Sequence, residues 1–207
     1  YQSFLKHGFD EQKLLCVPFG TDIPESNQEE SDDMDDTFHF LFSGHLNLRK
    51  GIQYLLKAWD RLSINATLIL TSGIDEDIRP LIQGYEDDDS IQYMGYVDDL
   101  DTWYNRADAF VFPSLEEGSA RVTYEAMAHG LPLITTFNSG WVGEDGVHGI
   151  EVPIRDPEAL ATAMRRLYQN PKERKQMSSA SRALIGENYT WDDYGRRIYH
   201  TYNSLLD

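Results

Sequence analysis

Short apolar segments alternate with amphipathic segments along most of the chain after residue 37. Ile52, Leu55, Leu56, Trp59 and Leu62 have the spacing of one helix face. The alternation predicts six strands, at Phe38–Gly44, Ala66–Gly73, Ile91–Val97, Asp108–Ser114, Leu131–Thr136 and His148–Val152. It also predicts four intervening helices, at Ile52–Leu62, Asp75–Gln83, Asp98–Ala107 (capped by Asp98 or Asp99) and Ser119–His129.

Strands this apolar, separated by helices of about ten residues, are typical of parallel β-α units with both sheet faces covered. Three further helices, predicted at Pro157–Gln169, Pro171–Glu187 and Trp191–Leu206, close the chain. We therefore predict an α/β fold: a doubly wound, mostly parallel, Rossmann-like sheet followed by C-terminal helices. In such sheets the ligand lies at the carboxyl ends of the strands.

The formal charge of −17 is concentrated in two acidic stretches, Glu25–Asp36 and Glu86–Asp89. We interpret both as solvated loops and the first as a linker. Glu25–Asp36 lacks the glycine and the closing glutamate of a calcium loop. No concentrated basic face appears, so we expect no nucleic-acid partner. The single cysteine, Cys16, excludes an internal disulfide.

Two segments at predicted strand ends have the chemistry of an anion site. Ser43–Gly51 includes Arg49 and Lys50, whose charges suit phosphate oxygens. Taken by itself, the segment is more often a turn in which both residues are simply solvated. Glu116–Arg121 leaves the fourth strand and enters a helix, where we expect free N–H groups at Ser119, Ala120 and Arg121. Gly118 would let the backbone approach a ligand. The alternative is that Glu117 and Ser119 only cap the helix.

Glu125 lies inside the helix that follows, and we predict that it is two turns from the start of that helix. Its neighbours are the small or apolar residues Tyr124, Ala126, Met127 and Ala128. A carboxylate in such surroundings costs free energy unless it has partners. It either faces solvent or accepts hydrogen bonds from ligand hydroxyls, for which a vicinal pair such as that of ribose is well suited.

The region around these glutamates resembles the signature of the large retaining group 1 (family 4) glycosyltransferases, which have the two-domain GT-B fold. That signature pairs two glutamates across seven residues, after Pro-Ser and before Ala-Met-Ala-x-Gly-x-Pro. This chain has Pro113-Ser114, Glu117, Glu125, Ala126-Met127-Ala128, Gly130 and Pro132 in those places. The resemblance extends to Val17–Asp22, Gly44–Gly51, Asp145–Asp156 and the Tyr189-Thr190-Trp191 junction.

The resemblance implies a C-terminal, donor-binding domain of such an enzyme. It divides the chain into an interdomain segment with an acidic linker (1–37), a Rossmann-like nucleotide-sugar-binding domain (38–170), and helices that pack on the domain and on its partner domain (171–207). We expect the sequence to be an excised part of a longer protein. The acceptor, a carbohydrate or a lipid-linked sugar, is then expected on an absent N-terminal domain, so these residues alone should transfer nothing.

The resemblance also implies a role for individual residues. Glu117 would contact the donor sugar and Lys50 would neutralise the diphosphate, which makes these two the candidate catalytic residues. Glu125 would hold the ribose, and Tyr96 and Val97 would lie beside the base. The remaining contacts to sugar and diphosphate are expected from Gly44, His45, Gly118, Ser119, Ala120 and Arg121. We expect no cofactor and no metal, because family members generally bind the diphosphate without one.

Three positions depart from the family pattern. His45 replaces a loop arginine, so we expect diphosphate binding to depend on pH, with Arg49 or Arg121 as other sources of charge. Ala120 replaces a glycine, and its Cβ is expected to crowd the phosphates. Ser139–Val142 replaces a longer stretch beside the sugar.

The leading hypothesis is hexosyl transfer from a nucleotide diphosphosugar, such as a UDP-sugar, in polysaccharide biosynthesis. The alternative is a non-catalytic nucleotide-binding or docking module on the same fold. Another GT-B enzyme, such as an epimerase or a phosphorylase, is a further alternative. A nicotinamide dehydrogenase is poorly supported, because no Gly-x-Gly-x-x-Gly follows the first strand. We expect a cytoplasmic protein whose association with a membrane, if any, occurs through the missing domain.

Overall fold

The computed structural model describes residues 2–24 and 37–206. Six parallel strands form one sheet in the order β3-β2-β1-β4-β5-β6. The strands are β1 (Phe38–Ser43), β2 (Ala66–Thr71), β3 (Ile91–Gly95), β4 (Ala109–Phe112), β5 (Leu133–Thr135) and β6 (Gly149–Glu151). All six predicted strands are confirmed, each one to three residues shorter at one or both ends. The predicted acidic linker at Glu25–Asp36 lies outside the described residues.

Eight α-helices accompany the sheet within the described residues. They are α1 (Gln2–Lys6), α2 (Ile52–Trp59), α3 (Arg79–Gln83), α4 (Leu100–Arg106), α5 (Arg121–Ala128), α6 (Pro157–Gln169), α7 (Pro171–Asn188) and α8 (Trp191–Asn203). Helix α4 begins after Asp99, whose side chain accepts a hydrogen bond from the Thr102 N–H, so Asp99 is the cap. In this part of the chain no helix combines the length and apolar character needed to cross a membrane.

The central strands are buried on both faces. Successive residues Phe40, Leu41 and Phe42 of β1 are fully buried, although neighbouring side chains of a strand point to opposite faces. Helices therefore cover both sides of the sheet, with α2 packed against α6 and α5 against α7. Strand β3 differs from the prediction: it lies at one edge of the sheet, and both Tyr93 and Met94 are exposed.

The strand order reverses between β1 and β4. From β1 the chain proceeds outward to β2 and β3, then returns to the other side of β1 and proceeds through β4, β5 and β6. The carboxyl ends of β1 and β4 are therefore neighbours at the centre of the sheet, where doubly wound proteins bind their ligands. The topology places the loops 44–51 and 113–120 side by side at this point.

Residues 18–21, which precede the sheet in the chain, lie against α8 and the residues just before it. The Thr21 N–H donates to the Tyr189 carbonyl at 2.8 Å, and Arg197 Nη2 donates to the Pro18 carbonyl at 3.2 Å. Thr190 caps α8 through a reciprocal pair of hydrogen bonds with Asp193. Residues 17–22 and the Tyr189–Trp191 junction are thus in contact. In the sequence they were two separate matches to the family pattern.

Candidate functional site

The loops that follow β1 and β4 are held together by backbone contacts. The Leu115 N–H donates to the Arg49 carbonyl at 2.8 Å. Gly51, the first residue before α2, has φ +77°, and a Cβ built on it would lie 2.0 Å from the Pro113 carbonyl oxygen. Only glycine combines this left-handed backbone with so close an approach. The sequence at Gly51 therefore allows the two loops to meet.

This approach brings together the two candidate catalytic residues. Lys50 Nζ lies 3.2 Å from Glu117 Oε1, and both side chains are about five-sixths buried, with exposures of 16% and 15%. Arg49 Nη1, on a half-exposed side chain, lies 3.0 Å from the same oxygen. Neither contact has hydrogen-bond geometry at Oε1, so the association is an ion pair between one carboxylate oxygen and two cations. The three residues form a compact charged cluster at the switch point of the sheet.

Lys50 also contacts residues at the ends of β1 and β4. Its ammonium group lies 5.0 Å from the centre of the Phe112 ring, a cation–π contact with the last residue of β4. Gly44 lies beside the same side chain, since a Cβ there would be 3.3 Å from Lys50 Cδ. The Lys50 N–H donates to Asn47 Oδ1 at 3.0 Å. The predicted residues Gly44 and Lys50 are therefore neighbours. The Lys50 side chain is largely buried, which differs from the alternative in which it is a solvated turn residue.

Residues 138–140, which follow β5, contact Glu117 and the start of α5. The Glu117 N–H donates to the Asn138 carbonyl at 2.8 Å, and the Ala120 N–H donates to the Ser139 carbonyl at 3.0 Å. Gly140 has φ +65°, and a Cβ there would lie 2.4 Å from the Gly118 carbonyl oxygen. The segment at 138–140 thus packs directly on the β4–α5 loop. The prediction of three free N–H groups was wrong for Ala120, because Ser139 already accepts its proton.

The remaining groups at the beginning of α5 are available. Ala120 is the residue before the helix, and neither Glu117 nor Ser119 caps it, so the alternative of simple capping was wrong. The Ser119 hydroxyl instead contacts the Tyr124 hydroxyl at 2.9 Å. Among the described residues, the N–H groups of Ser119 and Arg121 have no hydrogen-bond acceptor. They provide two donors at the positive end of a helix.

Ala120, which we expect to crowd the phosphates, is itself buried. It is 5% exposed and packs in the hydrophobic core, with φ −77°, which any residue adopts. The crowding of phosphates stays a prediction. Gly118, in contrast, is exposed, and a Cβ there would meet no atom within 4 Å.

Glu125 lies one turn into α5, not two as predicted, because the helix begins at Arg121. Its carboxylate accepts a hydrogen bond from the Tyr104 hydroxyl, with 3.1 Å between Oη and Oε2. The other oxygen, Oε1, lies 3.6 Å from Arg121 Nη2, a weak ion pair along the helix. Arg121 also lies over the Trp191 ring at 5.7 Å. This largely exposed arginine is therefore shared between Glu125 and α8.

His45 is paired with an acidic residue from another loop. Its Nε2 lies 2.5 Å from Asp75 Oδ1, and both side chains are about half exposed. The adjoining backbone is joined as well, because the Leu46 N–H donates to the Gly73 carbonyl at 2.8 Å and the Asp75 N–H to the Leu46 carbonyl at 3.0 Å. His45 is thus a link between the β1–α2 and β2–α3 loops in addition to being a candidate phosphate contact.

The two candidate base contacts lie after the edge strand. Tyr96 is 82% exposed and Val97 is half-buried. Nearby, the Tyr93 hydroxyl donates to the Ser72 carbonyl at 2.9 Å. The structure brings neither Tyr96 nor Val97 into contact with the Lys50–Glu117 cluster. A cavity of about 350 Å³ lies close to β3, between β2, α2 and α3, but contains none of the predicted site residues.

Three residues of the site were not predicted from the sequence: Asp75, Tyr104 and Asn138. Asp75 and Asn138 act from loops far away in sequence, and no local motif marks them. Tyr104 follows the apolar pattern of α4, which predicts only a core residue. Within residues 2–24 and 37–206, no three His, Cys, Asp or Glu side chains are grouped so that they could hold a metal ion.

The fold and the edge just described define a Rossmann-like α/β protein with cations, a paired carboxylate and helix N–H groups at its switch point. Comparison with known sequences identifies its family. The sequence model of "Glycosyl transferases group 1" matches residues 37–170, most of the chain, and the chain belongs to this family.

The relatives found by sequence are glycosyltransferases. An uncharacterized glycosyltransferase of Methanocaldococcus jannaschii is 27% identical over 181 residues, which cover 84% of this chain and 46% of that protein. A D-inositol 3-phosphate glycosyltransferase of Arthrobacter sp. is 29% identical over 183 residues, which cover 82% and 43%. The chain thus spans about half the length of these relatives.

Solved structures agree on the fold. A glycosyltransferase from Rickettsia africae superposes with a TM-score of 0.85 at 20% identity, covering 100% of this chain and 61% of that one. HepE of Anabaena, solved in complex with UDP-glucose, superposes with a TM-score of 0.74 at 20% identity, covering 82% and 49%. The predicted Rossmann-like half of a GT-B fold is confirmed.

Proposed function

We propose that this chain is the donor-binding domain of a retaining hexosyltransferase and that it binds a nucleotide diphosphosugar, with a UDP-sugar as the first candidate. The observation that supports this most strongly is the contact between Lys50 and Glu117. A cation and a carboxylate from two loops meet 3.2 Å apart at the switch point, beside unpaired helix N–H groups. A ligand with a diphosphate next to a hydroxyl-bearing ring fits both charges.

In this proposal the cations stabilise the leaving group. Transfer breaks the bond between the anomeric carbon and the diphosphate oxygen and forms a bond from that carbon to an acceptor oxygen. The acceptor's hydroxyl proton passes to the leaving diphosphate or to water. The configuration at the carbon is retained. Negative charge grows on the nucleoside diphosphate, where Lys50, Arg49 and the N–H groups of Ser119 and Arg121 would receive it. No cofactor and no metal enters this scheme.

Glu117 would accept hydrogen bonds from the sugar hydroxyls and orient the ring beside the breaking bond. We assign it no covalent role. Without a ligand, the ion pairs with Arg49 and Lys50 hold this carboxylate in place. A diphosphate entering the cluster would draw Lys50 toward itself and release Glu117 for the sugar.

The nucleoside would extend from the diphosphate toward β3. Glu125 would accept the ribose hydroxyls, and the base would lie near Tyr96 and Val97. Uracil is the first base to test, because HepE, a structural neighbour, was solved with UDP-glucose.

We further propose that the acceptor, a carbohydrate or a lipid-linked sugar, is bound by another domain of a longer, cytoplasmic protein. The support is that relatives of this chain are about twice as long as the part it matches. These residues alone would then bind donor weakly and transfer nothing. Transfer catalysed by the 207 residues alone would contradict this part of the proposal.

The test is a ligand panel of UDP, GDP, ADP and their common sugars, measured by thermal shift and calorimetry at low salt. A ligand at a hundred times its dissociation constant adds about 2.7 kcal/mol of stability. For a domain of this size, that corresponds to a rise in Tm of about 5–10 °C. Stabilisation by one diphosphate that is lost in both Lys50→Ala and Glu125→Ala is expected. Absence of any response in the intact parent protein would contradict the proposed function.

One observation favours the second candidate, a non-catalytic nucleotide-binding module. His45, which stands where the family has an arginine, has its Nε2 already in contact with Asp75 Oδ1, at 2.5 Å. An intact parent protein that binds a nucleoside diphosphate but transfers no sugar to any carbohydrate or lipid-linked acceptor would support this module over the enzyme.

A further inference from the structure

A buried tyrosine lies directly beneath the candidate ribose-binding glutamate. Tyr104 belongs to α4, is only 2% exposed, and donates its hydroxyl proton to Glu125 Oε2 over 3.1 Å. The sequence motif that marks Glu125 does not include Tyr104, which lies 21 residues earlier in the chain. The fold alone makes them partners.

The ring of Tyr104 cannot easily move away from this position. It stacks on His129, with 4.9 Å between ring centres, and packs against Phe110 at 5.8 Å. His129 is itself held by Asn105 Oδ1 at 3.0 Å and Asp101 Oδ1 at 3.2 Å. Burial lowers the pKa of His129, and the charge of Asp101 opposes this shift. The position of the tyrosine hydroxyl is therefore set by close packing on both sides.

The Ser43 side chain, at the carboxyl end of β1, lies beside this hydroxyl and by itself lowers the pKa of Tyr104. Burial, followed by the charge of Glu125, raises the pKa of Tyr104 well above its usual value, which keeps the proton on the tyrosine.

The hydrogen bond from Tyr104 leaves the two oxygens of Glu125 in different situations. Oε2 accepts the tyrosine proton. Among the described residues, the partner of Oε1 is the exposed Arg121 guanidinium at 3.6 Å, which is too long for a hydrogen bond. The glutamate side chain is 28% exposed, so a ligand can reach it from solvent.

We propose that Tyr104 is a positioning residue: it holds Glu125 in the orientation in which one carboxylate oxygen accepts the vicinal hydroxyls of a nucleotide's ribose. This inference rests on the proposed function, because it deepens the role of the same donor site. Without the tyrosine hydroxyl, Glu125 would adopt several rotamers and would lose part of its selectivity for a ligand with ribose hydroxyls.

The test compares Tyr104→Phe with wild type, since phenylalanine keeps the ring and removes the proton donor. The matched control is Tyr85→Phe: Tyr85 also donates to a carboxylate, Asp60 Oδ2 at 2.8 Å, but lies away from the site. Calorimetry would measure binding of UDP, GDP and ADP and of their 2′,3′-dideoxy counterparts. The ratio of the two affinities for the best-bound base reports the ribose contacts and does not depend on the folded fraction.

We expect Tyr104→Phe to weaken binding of the ribonucleotide by about three- to tenfold and to leave the dideoxy nucleotide unchanged. Tyr85→Phe should change neither. In a Glu125→Ala background, Tyr104→Phe should have no further effect on the ratio, because the group it positions is gone. Ser43→Ala, which keeps the tyrosine ring and its packing, should lower the ratio in the same direction by less, and it serves if Tyr104→Phe does not fold.

Equal losses for ribonucleotide and dideoxynucleotide in Tyr104→Phe would show a purely structural role and overturn the inference. An unchanged ratio in both Tyr104→Phe and Ser43→Ala would overturn it as well. Neither result would affect the proposed function. Failure of the wild-type chain and of its intact parent to bind any of the six nucleotides would instead contradict the proposed function, and the inference with it.

Discussion

The two ends of the candidate donor site are built very differently. At the phosphate end, the cationic groups of Lys50 and Arg49 each lie within 3.2 Å of Glu117 Oε1, across two loops that share backbone hydrogen bonds. At the base end, beyond the edge strand β3, Tyr96 is 82% exposed, and Tyr93 has one hydrogen bond to the neighbouring loop. The phosphate end is assembled before any ligand arrives, whereas the base end offers an open surface.

The difference follows from position in the sheet. The phosphate end lies at the switch point, where two central strands end side by side and both loops are anchored by buried residues. The base end follows a strand that has a neighbour on one side only. Preorganised charges favour tight binding of the diphosphate, because little ordering remains to be done on binding. Discrimination between bases would then depend on weaker contacts.

The largest effect should come from breaking the phosphate end at its backbone, with Gly51→Ala. The left-handed conformation costs about 1–2 kcal/mol and the overlap with the Pro113 carbonyl about 1–3 kcal/mol, for a total of about 2–5 kcal/mol. Urea unfolding measures this change. Gly186→Ala, in helix α7 with no atom within 4 Å of its Cβ, is the control and should be neutral or slightly stabilising. Equal unfolding midpoints for the two variants would show that the loops do not meet as described.

Removing the central cation should have the next largest effect. Lys50→Ala is expected to weaken nucleoside diphosphate binding by about 1.5–3 kcal/mol, or roughly ten- to a hundredfold, and to leave nucleoside binding unchanged. Lys57→Ala, at the exposed last turn of α2, is the charge-matched control. Calorimetry with UDP and uridine separates the two cases. A loss in Lys57→Ala as large as that in Lys50→Ala would point to the overall field of this acidic protein and not to a specific contact.

The base end should respond more weakly. Tyr96→Ala is expected to reduce nucleotide affinity by about 0.5–1.5 kcal/mol through lost stacking and to leave pyrophosphate binding unaffected. The comparison of the bound nucleotide with pyrophosphate in the same variant isolates the base. Tyr199→Ala, on the exposed face of α8, is the control for loss of a surface tyrosine. A loss of more than a hundredfold would mean that the base end is as highly organised as the phosphate end.

The smallest change in nucleotide affinity is expected for Glu117→Gln. Because Glu117 holds Lys50 in the absence of ligand, the neutral side chain should leave UDP affinity unchanged or improve it up to about threefold. The preference among UDP-sugars should fall, since glutamine accepts fewer hydrogen bonds from the hydroxyls. Glu116→Gln, an exposed neighbour, is the control. A tenfold loss of UDP affinity would contradict the idea that Glu117 competes for the lysine.

The order and type of the elements were predictable because each depends on local patterns. Six strands were found at the predicted runs, and α6 has the predicted bounds, Pro157–Gln169, since proline and the Asp156 cap mark its start. Burial of β3 was not predictable. Three of the five residues in its run IQYMG are apolar, as in a covered strand, and the strand order is what leaves Tyr93 and Met94 exposed at an edge of the sheet.

The candidate site shows the same division. The paired glutamates and the Lys-Gly of the first loop could be located in the sequence because their spacing is a family signature. Which atoms they meet was decided by contacts between distant loops: Glu117 with Lys50, the Ala120 N–H with Ser139, and Glu125 with Tyr104. Periodicity and motif spacing describe only a residue's neighbours along the sequence. The ion pair, the occupied N–H and the buried tyrosine depend on the packing of sheet and loops, which brings together residues from 19 to 67 positions apart.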